Sequence, residues 1–310
     1  MDIKIPAPLK GGDRIAILSP ATTVKEEYVA GAENFLAEQG YAPMVLPGAT
    51  GPADGSFASS LQSRVADMRF ALTEPSIKAI LCARGGYGCI QMLPELPFSV
   101  VADNPKWIIG FSDVSALHAL WLKAGVASLH APMAKHLTLE GADDPATITL
   151  LDILSGKAGM DYQTEPHPFN RFGRARGRLQ GGNIAVLNGL AATPYDILDV
   201  SEGEDVILFI EDISEAIYAV ERMLMRLYLA GSLQRLKGLI VGQFTEYRPD
   251  LNHRSMEEMI HRLLLRLGIK DIPVAFNFPV GHVKDNLPMI EGATVDFEVA
   301  PHSVILRSVK

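Results

Sequence analysis

Short apolar runs alternate with amphipathic segments in the first half of the chain. Apolar positions recur at helical spacing in three segments, which predicts helices over residues 25–39, 61–72 and 114–122. Strands are predicted around them at 14–18, 42–46, 79–83 and 107–109. This alternation predicts βαβ units and a parallel sheet covered by helices. Three charged residues of the second helix are expected to face solvent: Arg64, Asp67 and Arg69.

The pattern changes in the second half. Residues 156–182 are polar, rich in Pro and Gly, and lack a helical period, which predicts an interdomain linker that could lead into an edge strand. Strands at 206–210 and 238–242 then alternate with helices at 183–190, 216–229 and 256–267. Residues 293–309 alternate apolar and polar positions, as half-buried antiparallel strands do. The sequence therefore predicts an N-terminal α/β domain at 1–155, a linker at 156–182 and a second domain at 183–310.

Composition narrows the classes of partner. The chain has 310 residues, the length of two ordinary domains. Its formal charge of −8, without a cluster of Lys and Arg, argues against nucleic acid and anionic membranes as partners. The N-terminus lacks the apolar core of a signal peptide, and the run at 15–18 is too short to span a bilayer, so a cytoplasmic location is expected. Cys82 and Cys89 are predicted to be reduced core thiols.

Ser112 lies in Gly110-Phe111-Ser112-Asp113, between a predicted strand and a predicted helix. A serine on a sharp strand-to-helix turn exposes its hydroxyl, and the start of the helix presents backbone N–H groups beside it. The pattern therefore indicates a nucleophile with one oxyanion donor, the N–H of Asp113. Ser and Asp are also the commonest residues that cap helix N-termini, and the tetrapeptide alone leaves both interpretations open.

A glycine-rich loop, Arg84-Gly85-Gly86-Tyr87-Gly88, directly follows the third predicted strand. Glycines let the backbone approach a ligand and present N–H groups to it. The loop could bind phosphate, form a plain tight turn, or donate N–H groups from Gly85 and Gly86 to a carbonyl or carboxylate. No Lys-Ser/Thr follows and the GxGxxG spacing is absent, which disfavours nucleotide binding.

Two further groups of the second half fall at predicted strand ends or in a loop. Glu211 follows the strand at 206–210, where it could orient a histidine, act as a base, hold a metal, or merely precede a helix N-terminus. His282 is flanked by Pro279 and Gly281, which places it on a loop, and it is the best general-base candidate among eight histidines. His130 follows a strand end and could line a cleft. No histidine pair has metal-ligand spacing with a carboxylate, so neither metal nor another cofactor is expected.

Ser112, Glu211 and His282 together form a candidate catalytic triad. Ligands bind outside the carboxyl ends of strands in open α/β sheets, and a triad is recognised by geometry and roles rather than chain order. Ser112 would attack a carbonyl, His282 would take and return its proton, and Glu211 would hold the imidazole. The N–H of Asp113, with one from Gly85 or Gly86, would bind the oxyanion.

Motifs that span nearly the whole chain resemble, in order, those of the LD-carboxypeptidase family, the serine peptidases of the muramoyltetrapeptide carboxypeptidase and microcin-immunity type. The matching segments are Gly12–Ala21, Ala83–Gly88, Ile109–Asp113, His130–Met133, Gly181–Ala185, Ile210–Asp212, Glu221–Leu224 and Phe278–His282. The resemblance assigns nucleophile, acid and base to Ser112, Glu211 and His282, the same residues that the strand ends indicate.

The resemblance also implies an activity and a setting. The family removes the terminal D-Ala from a peptidoglycan stem tetrapeptide, after the L-centre of meso-diaminopimelate, in the cytoplasm during cell-wall recycling and without a metal. Its fold pairs an N-terminal α/β domain that carries the nucleophile with a C-terminal β-rich domain that carries the Glu and the His. The resemblance implies a homodimer. Arg84 and Asn183 are candidates to hold the D-Ala carboxylate.

Two segments depart from the family pattern, and two other functions stay open. Ser56–Ser63 stands where relatives often have acidic residues, and Phe169–Arg178 is strongly basic.

A microcin-immunity-type peptidase, which cleaves peptidyl-nucleotides or acyl-sulfamoyl adenylates, would need aromatic residues to stack on the base. The only tryptophans are Trp107 and Trp121, which argues against it. A two-lobed binding protein without turnover is the third possibility.

Overall fold

The computed structural model describes residues 2–309, which divide into two compact units. Unit 1 contains the chain up to Gly159 together with Leu287–Gly292, and unit 2 contains Met160–Asn286 and the chain from Ala293 onward. The fold class is as predicted, an α/β unit with a largely parallel sheet followed by a second unit with a mixed sheet.

Unit 1 is built on a six-stranded sheet. Its strands are β1 (Arg14–Leu18), β2 (Ala42–Val45), β3 (Ile77–Cys82), β4 (Trp107–Gly110), β5 (Ser128–His130) and, late in the chain, β11 (Met289–Glu291). Their order is β11-β5-β4-β3-β1-β2, parallel except for β11, which pairs antiparallel with β5. The last four residues of β1 are all buried, which means that both faces of the sheet are covered, because successive side chains point to opposite faces.

Seven helices accompany this sheet. They are α1 (Glu26–Glu38), α2 (Leu61–Thr73), α3 (Cys89–Met92), α4 (Phe98–Asp103), α5 (Ser115–Lys123), α6 (Ala134–Glu140) and α7 (Pro145–Leu154). Two of them begin at a polar capping residue: Ser60 caps α2 by accepting from the Ser63 N–H, and Asp144 caps α7 by accepting from the Thr147 N–H, with Pro145 at the first position of α7. Gly40 follows α1 with a φ of 83°, a conformation that glycine tolerates.

Unit 2 is built on a seven-stranded mixed sheet. Its strands are β6 (Asp161–Thr164), β7 (Gly173–Asn183), β8 (Val206–Ile213), β9 (Gly238–Thr245), β10 (Val274–Ala275), β12 (Thr294–Ala300) and β13 (Ser303–Ser308). The order is β10-β9-β8-β7-β12-β13-β6, parallel from β10 to β7 and antiparallel from β7 to β6. The helices are α8 (Ile184–Asn188), α9 (Ile217–Leu229), α10 (Ser232–Arg235) and α11 (Met256–Arg266).

The segment predicted as a linker contains the edge strand β6, which fits the prediction, but it also contains all of β7 except its last residue, which does not. The unit boundary falls between Gly159 and Met160, and a short later segment returns to unit 1. Two of the three arginines of β7 have acidic partners on β12: Arg174 lies 2.7 Å from Glu298, and Arg176 lies 3.8 Å from Asp296. Opposite charges across a strand pair stabilise it, but these partners are more than a hundred residues away in sequence. The local sequence of this segment is therefore polar, as a linker is, although the segment forms strands.

The expectation that Arg64 and Asp67 face solvent is wrong, although Arg69 is exposed. Arg64 is 2% exposed and donates to backbone carbonyls. Asp67 is 8% exposed, and its Oδ2 accepts from the Gly48 N–H at 2.7 Å. Both charges face loops rather than water, because these loops offer unpaired backbone polar groups that need partners.

No helix within residues 2–309 combines the length and the apolar character needed to cross a bilayer.

Candidate active site

Ser112 occupies a strained turn in unit 1. Strand β4 ends at Gly110, Phe111 is extended, and Ser112 has a φ of 65°, at the first position of a 3₁₀ turn that leads into α5. A non-glycine residue in this conformation costs roughly 1–3 kcal/mol, and such strain concentrates at functional sites. Phe111, not Ser112, holds the N-cap position of the turn. The geometry therefore favours the exposed-hydroxyl interpretation over simple capping.

The glycine-rich loop packs directly against this turn. A Cβ placed on Gly85 would lie 3.0 Å from the Ser112 Cβ and 3.2 Å from the Asp113 nitrogen. Gly86 has a φ of 105°, and a Cβ there would lie 2.1 Å from the Thr22 Oγ1. Only glycine permits both approaches. Of the three uses that the sequence left open, a loop that brings backbone donors beside Ser112 fits this packing best.

Arg84 begins the same loop and is exposed, with one guanidinium nitrogen donating to the Thr23 carbonyl at 2.7 Å. Thr22 holds the middle of the loop, because its Oγ1 accepts from the Tyr87 N–H at 3.0 Å and its N–H donates to the Gly85 carbonyl at 3.3 Å. The loop is therefore fastened at several points, as a preorganised set of donors must be.

Asp113 uses its side chain as well as its backbone. It is 3% exposed, and its Oδ2 accepts from the Cys89 N–H at 2.8 Å. Burial raises the pKa of the Asp113 carboxyl, and hydrogen bonds from Cys89 work against that rise. The backbone N–H of Asp113 stays a predicted oxyanion donor, beside Gly85.

Two buried histidines lie next to the nucleophile turn. The His118 Nε2 donates to the Gly110 carbonyl at 2.8 Å, so the proton sits on that nitrogen. Burial lowers the pKa of His118 to about 4, and the ring stays neutral near pH 7. His130, which was expected to line a cleft, is fully buried, with its ring centroid 5.7 Å from that of Phe111. Both rings thus support the backbone that precedes Ser112.

Glu211 and His282 meet in unit 2. Glu211 is fully buried on β8, and its Oε2 lies 2.8 Å from the His282 Nδ1. A carboxylate accepts, so the Nδ1 carries the proton and donates. Strand β8 runs to Ile213 and α9 begins at Ile217, so Glu211 lies in the strand rather than at a helix start. The helix-terminus interpretation of this acid is therefore excluded.

The pKa of His282 is raised above its ordinary value. Burial alone would lower it, but the hydrogen bond and the charge of Glu211 outweigh burial, with smaller contributions from Asp212 and Glu246. Gly281 allows this contact: its φ is 124°, and a Cβ there would lie 2.9 Å from the Glu211 Oε2. Its N–H donates to the Asn286 Oδ1 at 2.8 Å, which anchors the loop.

Asn183 is 4% exposed and its amide is committed to neighbouring groups. Its Nδ2 donates to the Asp212 Oδ1 at 2.8 Å, and its Oδ1 caps α8 by accepting from the Val186 N–H at 3.0 Å. Burial and the charge of Glu211 raise the pKa of Asp212 to about 6, against hydrogen bonds from Ala185, Ile213 and Asn183 that lower it. This geometry favours a role for Asn183 in holding the ends of β7 and β8. Its predicted contact with substrate stays a prediction.

No group of three His, Cys, Asp or Glu side chains among residues 2–309 is arranged to hold a metal ion. Cys82 and Cys89 are buried as free thiols.

Comparison with known proteins identifies the family. The sequence pattern of the LD-carboxypeptidase N-terminal domain matches residues 15–131, and that of the LD-carboxypeptidase C-terminal domain matches residues 176–297. The chain belongs to the LD-carboxypeptidase family. It is therefore a serine-type hydrolase of the carboxypeptidase class.

Individual relatives of this LD-carboxypeptidase cover nearly its whole length. A putative carboxypeptidase from Synechocystis is 32% identical over 94% of each chain. A probable murein peptide carboxypeptidase from Bacillus subtilis is 29% identical over 98% of this chain and 94% of its own. The crystal structure of a muramoyltetrapeptide carboxypeptidase from Oxalobacter formigenes, 27% identical, superposes with a TM-score of 0.84 over 96% of this chain and 99% of its own. The microcin C7 self-immunity protein of Escherichia coli is 27% identical over 94% of this chain and 93% of its own.

Proposed function

We propose that this enzyme releases the terminal D-Ala from murein tetrapeptides, with Ser112, His282 and Glu211 as its triad. The observation that carries the proposal is the 2.8 Å hydrogen bond between the buried Glu211 carboxylate and the His282 Nδ1. It gives the neutral imidazole the tautomer that a general base needs, with the proton on Nδ1 and the basic lone pair on Nε2. The relatives named for murein peptides support the substrate class.

The proposed reaction has two steps. Ser112 Oγ attacks the carbonyl of the L,D-amide, while the His282 Nε2 takes its proton and passes it to the departing amine of D-Ala. Water then attacks the acyl-enzyme while His282 takes its proton and returns it to the Ser112 Oγ, so that the ester bond breaks and the tripeptide leaves with a new carboxylate. Glu211 stabilises the imidazolium in both steps. The N–H groups of Asp113, Gly85 and Gly86 are the proposed oxyanion donors.

The D-Ala carboxylate needs a cationic or amide partner. Arg84 is the better of the two candidates, because its side chain is exposed on the glycine-rich loop. Asn183 is buried, with hydrogen bonds to Asp212 and Val186. We therefore propose Arg84 as the carboxylate ligand, with bidentate recognition that Lys could not reproduce.

The glycine loop should not tolerate a methyl group. We expect Gly85→Ala to lower kcat about 100-fold, because the added Cβ would push the loop from Ser112 and displace one oxyanion donor. KM should change little if the ground state makes weak use of that donor. Steady-state kinetics on the tetrapeptide measure both values. Gly11→Ala is the control for a general loss of fold, because Gly11 is exposed and an added Cβ there would meet only the Gly40 carbonyl oxygen, at 3.9 Å.

The value of kcat/KM should rise with pH as the His282 ring loses its proton. The ring must be neutral to take a proton, and its pKa is raised from 6.5, so the midpoint of kcat/KM should lie above pH 6.5. Below that midpoint the ring is protonated and the rate falls tenfold per pH unit. A midpoint below 6.5 would contradict the role of Glu211 in raising this pKa.

The decisive assay is the release of free D-Ala from L-Ala-γ-D-Glu-meso-diaminopimelate-D-Ala, followed by mass spectrometry. A matched tetrapeptide ending in L-Ala tests stereochemistry, and we expect it to be cleaved at least tenfold more slowly. Absence of D-Ala release by the wild-type protein would overturn the proposed substrate. A fluorophosphonate then distinguishes two cases. Covalent labelling would indicate a serine hydrolase with another substrate, and absence of labelling would indicate a binding protein without turnover.

A microcin-type substrate is the second candidate, supported by the relative from Escherichia coli. Such a substrate carries a nucleobase, which aromatic side chains would be expected to stack on. Trp107 and Trp121 are 2% and 0% exposed, so neither is available for stacking. Parallel assays of the tetrapeptide and an aminoacyl sulfamoyl adenosine compare the two candidates directly, and the proposed function predicts the larger kcat/KM for the tetrapeptide.

We also propose a cytoplasmic location and a homodimer, both on the basis of the family resemblance. Murein fragments reach the cytoplasm during recycling in the setting that the family implies. Sedimentation at micromolar concentration tests the dimer directly.

A further inference from the structure

Arg64 is a buried guanidinium that joins several loops of unit 1. It is 2% exposed, and it donates to the carbonyls of Pro20 at 2.8 Å, Ser59 at 3.2 Å and Gly88 at 3.1 Å. A further nitrogen donates to the Gln91 Oε1 at 2.8 Å. These acceptors lie after β1, before α2 and at the end of the glycine-rich loop. One planar, five-donor group thus fixes segments that are far apart in sequence.

The peptide unit between Gly88 and Cys89 is held from both sides. Its carbonyl accepts from the Arg64 Nη1, and its N–H donates to the Asp113 Oδ2. The Arg64 cation and the Asp113 anion therefore bind opposite ends of one peptide dipole. Asp113 directly follows Ser112, so this chain of contacts connects the glycine-rich loop to the nucleophile turn.

We infer that Arg64 and the Asp113 carboxylate are a pair of positioning residues, which set the distance between the N–H groups of the glycine-rich loop and Ser112. The inference rests on the proposed function, because it assigns those N–H groups to the oxyanion. A Cβ on Gly85 would lie 3.0 Å from the Ser112 Cβ, so the loop comes closer to Ser112 than a residue with a side chain would allow without a shift. A shift of about 1 Å in such donors is enough to cost about a hundredfold in rate.

Each of the two charges also lowers the free-energy cost of burying the other. Burial lowers the pKa of Arg64 and raises that of Asp113, and in each case the opposite charge works against the shift. Removing one partner leaves the other buried with its charge uncompensated. Each single variant should therefore disturb the same peptide unit, and the double variant should cost less than the sum of the two.

A lysine cannot replace Arg64 in this role. Its ammonium is a single point, whereas Pro20, Gly88 and Gln91 are reached by a rigid fork. A Cβ on Gly88 would lie 2.7 Å from the Arg64 Nη1, so the loop is also closed to any larger residue at that position.

The test compares Arg64→Met, Arg64→Lys, Asp113→Asn and the double variant with the wild-type enzyme. We expect each single variant to lower kcat by about 10- to 100-fold and to change KM by less than about threefold, because donor alignment matters most in the transition state. Asp113→Asn is nearly isosteric and retains an acceptor for Cys89, which guards against simple loss of fold. Arg69→Met is the matched control, since Arg69 lies on the same helix but is exposed.

A second readout separates positioning from plain stability. Affinity for a peptidyl phosphonate, whose oxygen mimics the oxyanion, should fall in parallel with kcat, while affinity for the tripeptide product stays within about threefold. Equal losses for both ligands, or unchanged kcat in folded variants, would overturn the inference. Failure of the wild-type enzyme to release D-Ala would instead overturn the proposed function.

Discussion

Ser112→Ala should lower kcat by about four to six orders of magnitude while leaving the fold intact. The variant removes the oxygen that forms the acyl-enzyme and retains the rest of the turn. Alanine keeps the unfavourable φ of 65° at this position, so the free energy of unfolding should match that of the wild type. Release of D-Ala, measured by mass spectrometry over hours, provides the sensitivity that such a slow rate requires.

Two companion variants sharpen this experiment. Ser214 has the same residue type and nearly the same backbone conformation, with a φ of 63°, so Ser214→Ala should leave kcat within about twofold. Ser112→Gly should be as inactive as the alanine variant but should melt at a higher temperature, because glycine adopts a positive φ without the steric cost. Residual D-Ala release above about one percent in either Ser112 variant would exclude Ser112 as the nucleophile.

Glu211→Gln should lower kcat by about 10⁴-fold, the size of effect known for the equivalent change in the chymotrypsin triad. The Glu211 Oε1 has no hydrogen-bond partner within residues 2–309, so a glutamine has no second group to bind there. It would turn its amide toward the His282 Nδ1 and favour the tautomer with the proton on the wrong nitrogen. Loss of the charge should also move the pH limb of kcat/KM below that of the wild type.

The control for this variant is Glu221→Gln. Glu221 lies on α9 and forms an ion pair of 2.7 Å with Arg266, which is largely exposed. An exposed pair of this kind is worth at most about 1 kcal/mol, so kcat should not change. If Glu211→Gln retained more than a tenth of the wild-type kcat, the orienting role of Glu211 would have to be abandoned.

The sequence predicted the parts of the site that depend on local pattern. Ser112 follows an apolar run and precedes a helical one, and Gly281 marks the loop of His282. Glu211 and His282 are 71 residues apart, yet the sequence pattern makes both of them candidates, and the structure joins them by a hydrogen bond. Their place in one active site stays a prediction. Family resemblance then converged on the same three residues, which remain a proposal for the reaction.

What the sequence could not predict depends on partners far along the chain. The sequence pattern places Arg64 on the surface of an amphipathic helix, because three of its four acceptors are backbone carbonyls, which leave no mark in side-chain patterns. The sequence of β7 has the polar pattern of a linker, because the acidic partners of Arg174 and Arg176 lie far along the chain, on β12. The sequence also does not indicate that Asp113 has two roles, one for its backbone N–H and one for its carboxylate, since an aspartate fits either role.

The late strand β11 has a consequence for how the protein is made. Residues 289–291 complete the edge of the unit 1 sheet beside β5, whose residues are 0–1% exposed. While the chain is still emerging from the ribosome, that edge has unpaired backbone groups until residue 291 has been synthesised. The nucleophile-bearing unit therefore reaches its final form almost last, although its first strand is made almost first. From the synthesis of residue 130 until that of residue 291, the nascent chain must therefore keep this open edge from pairing with other strands.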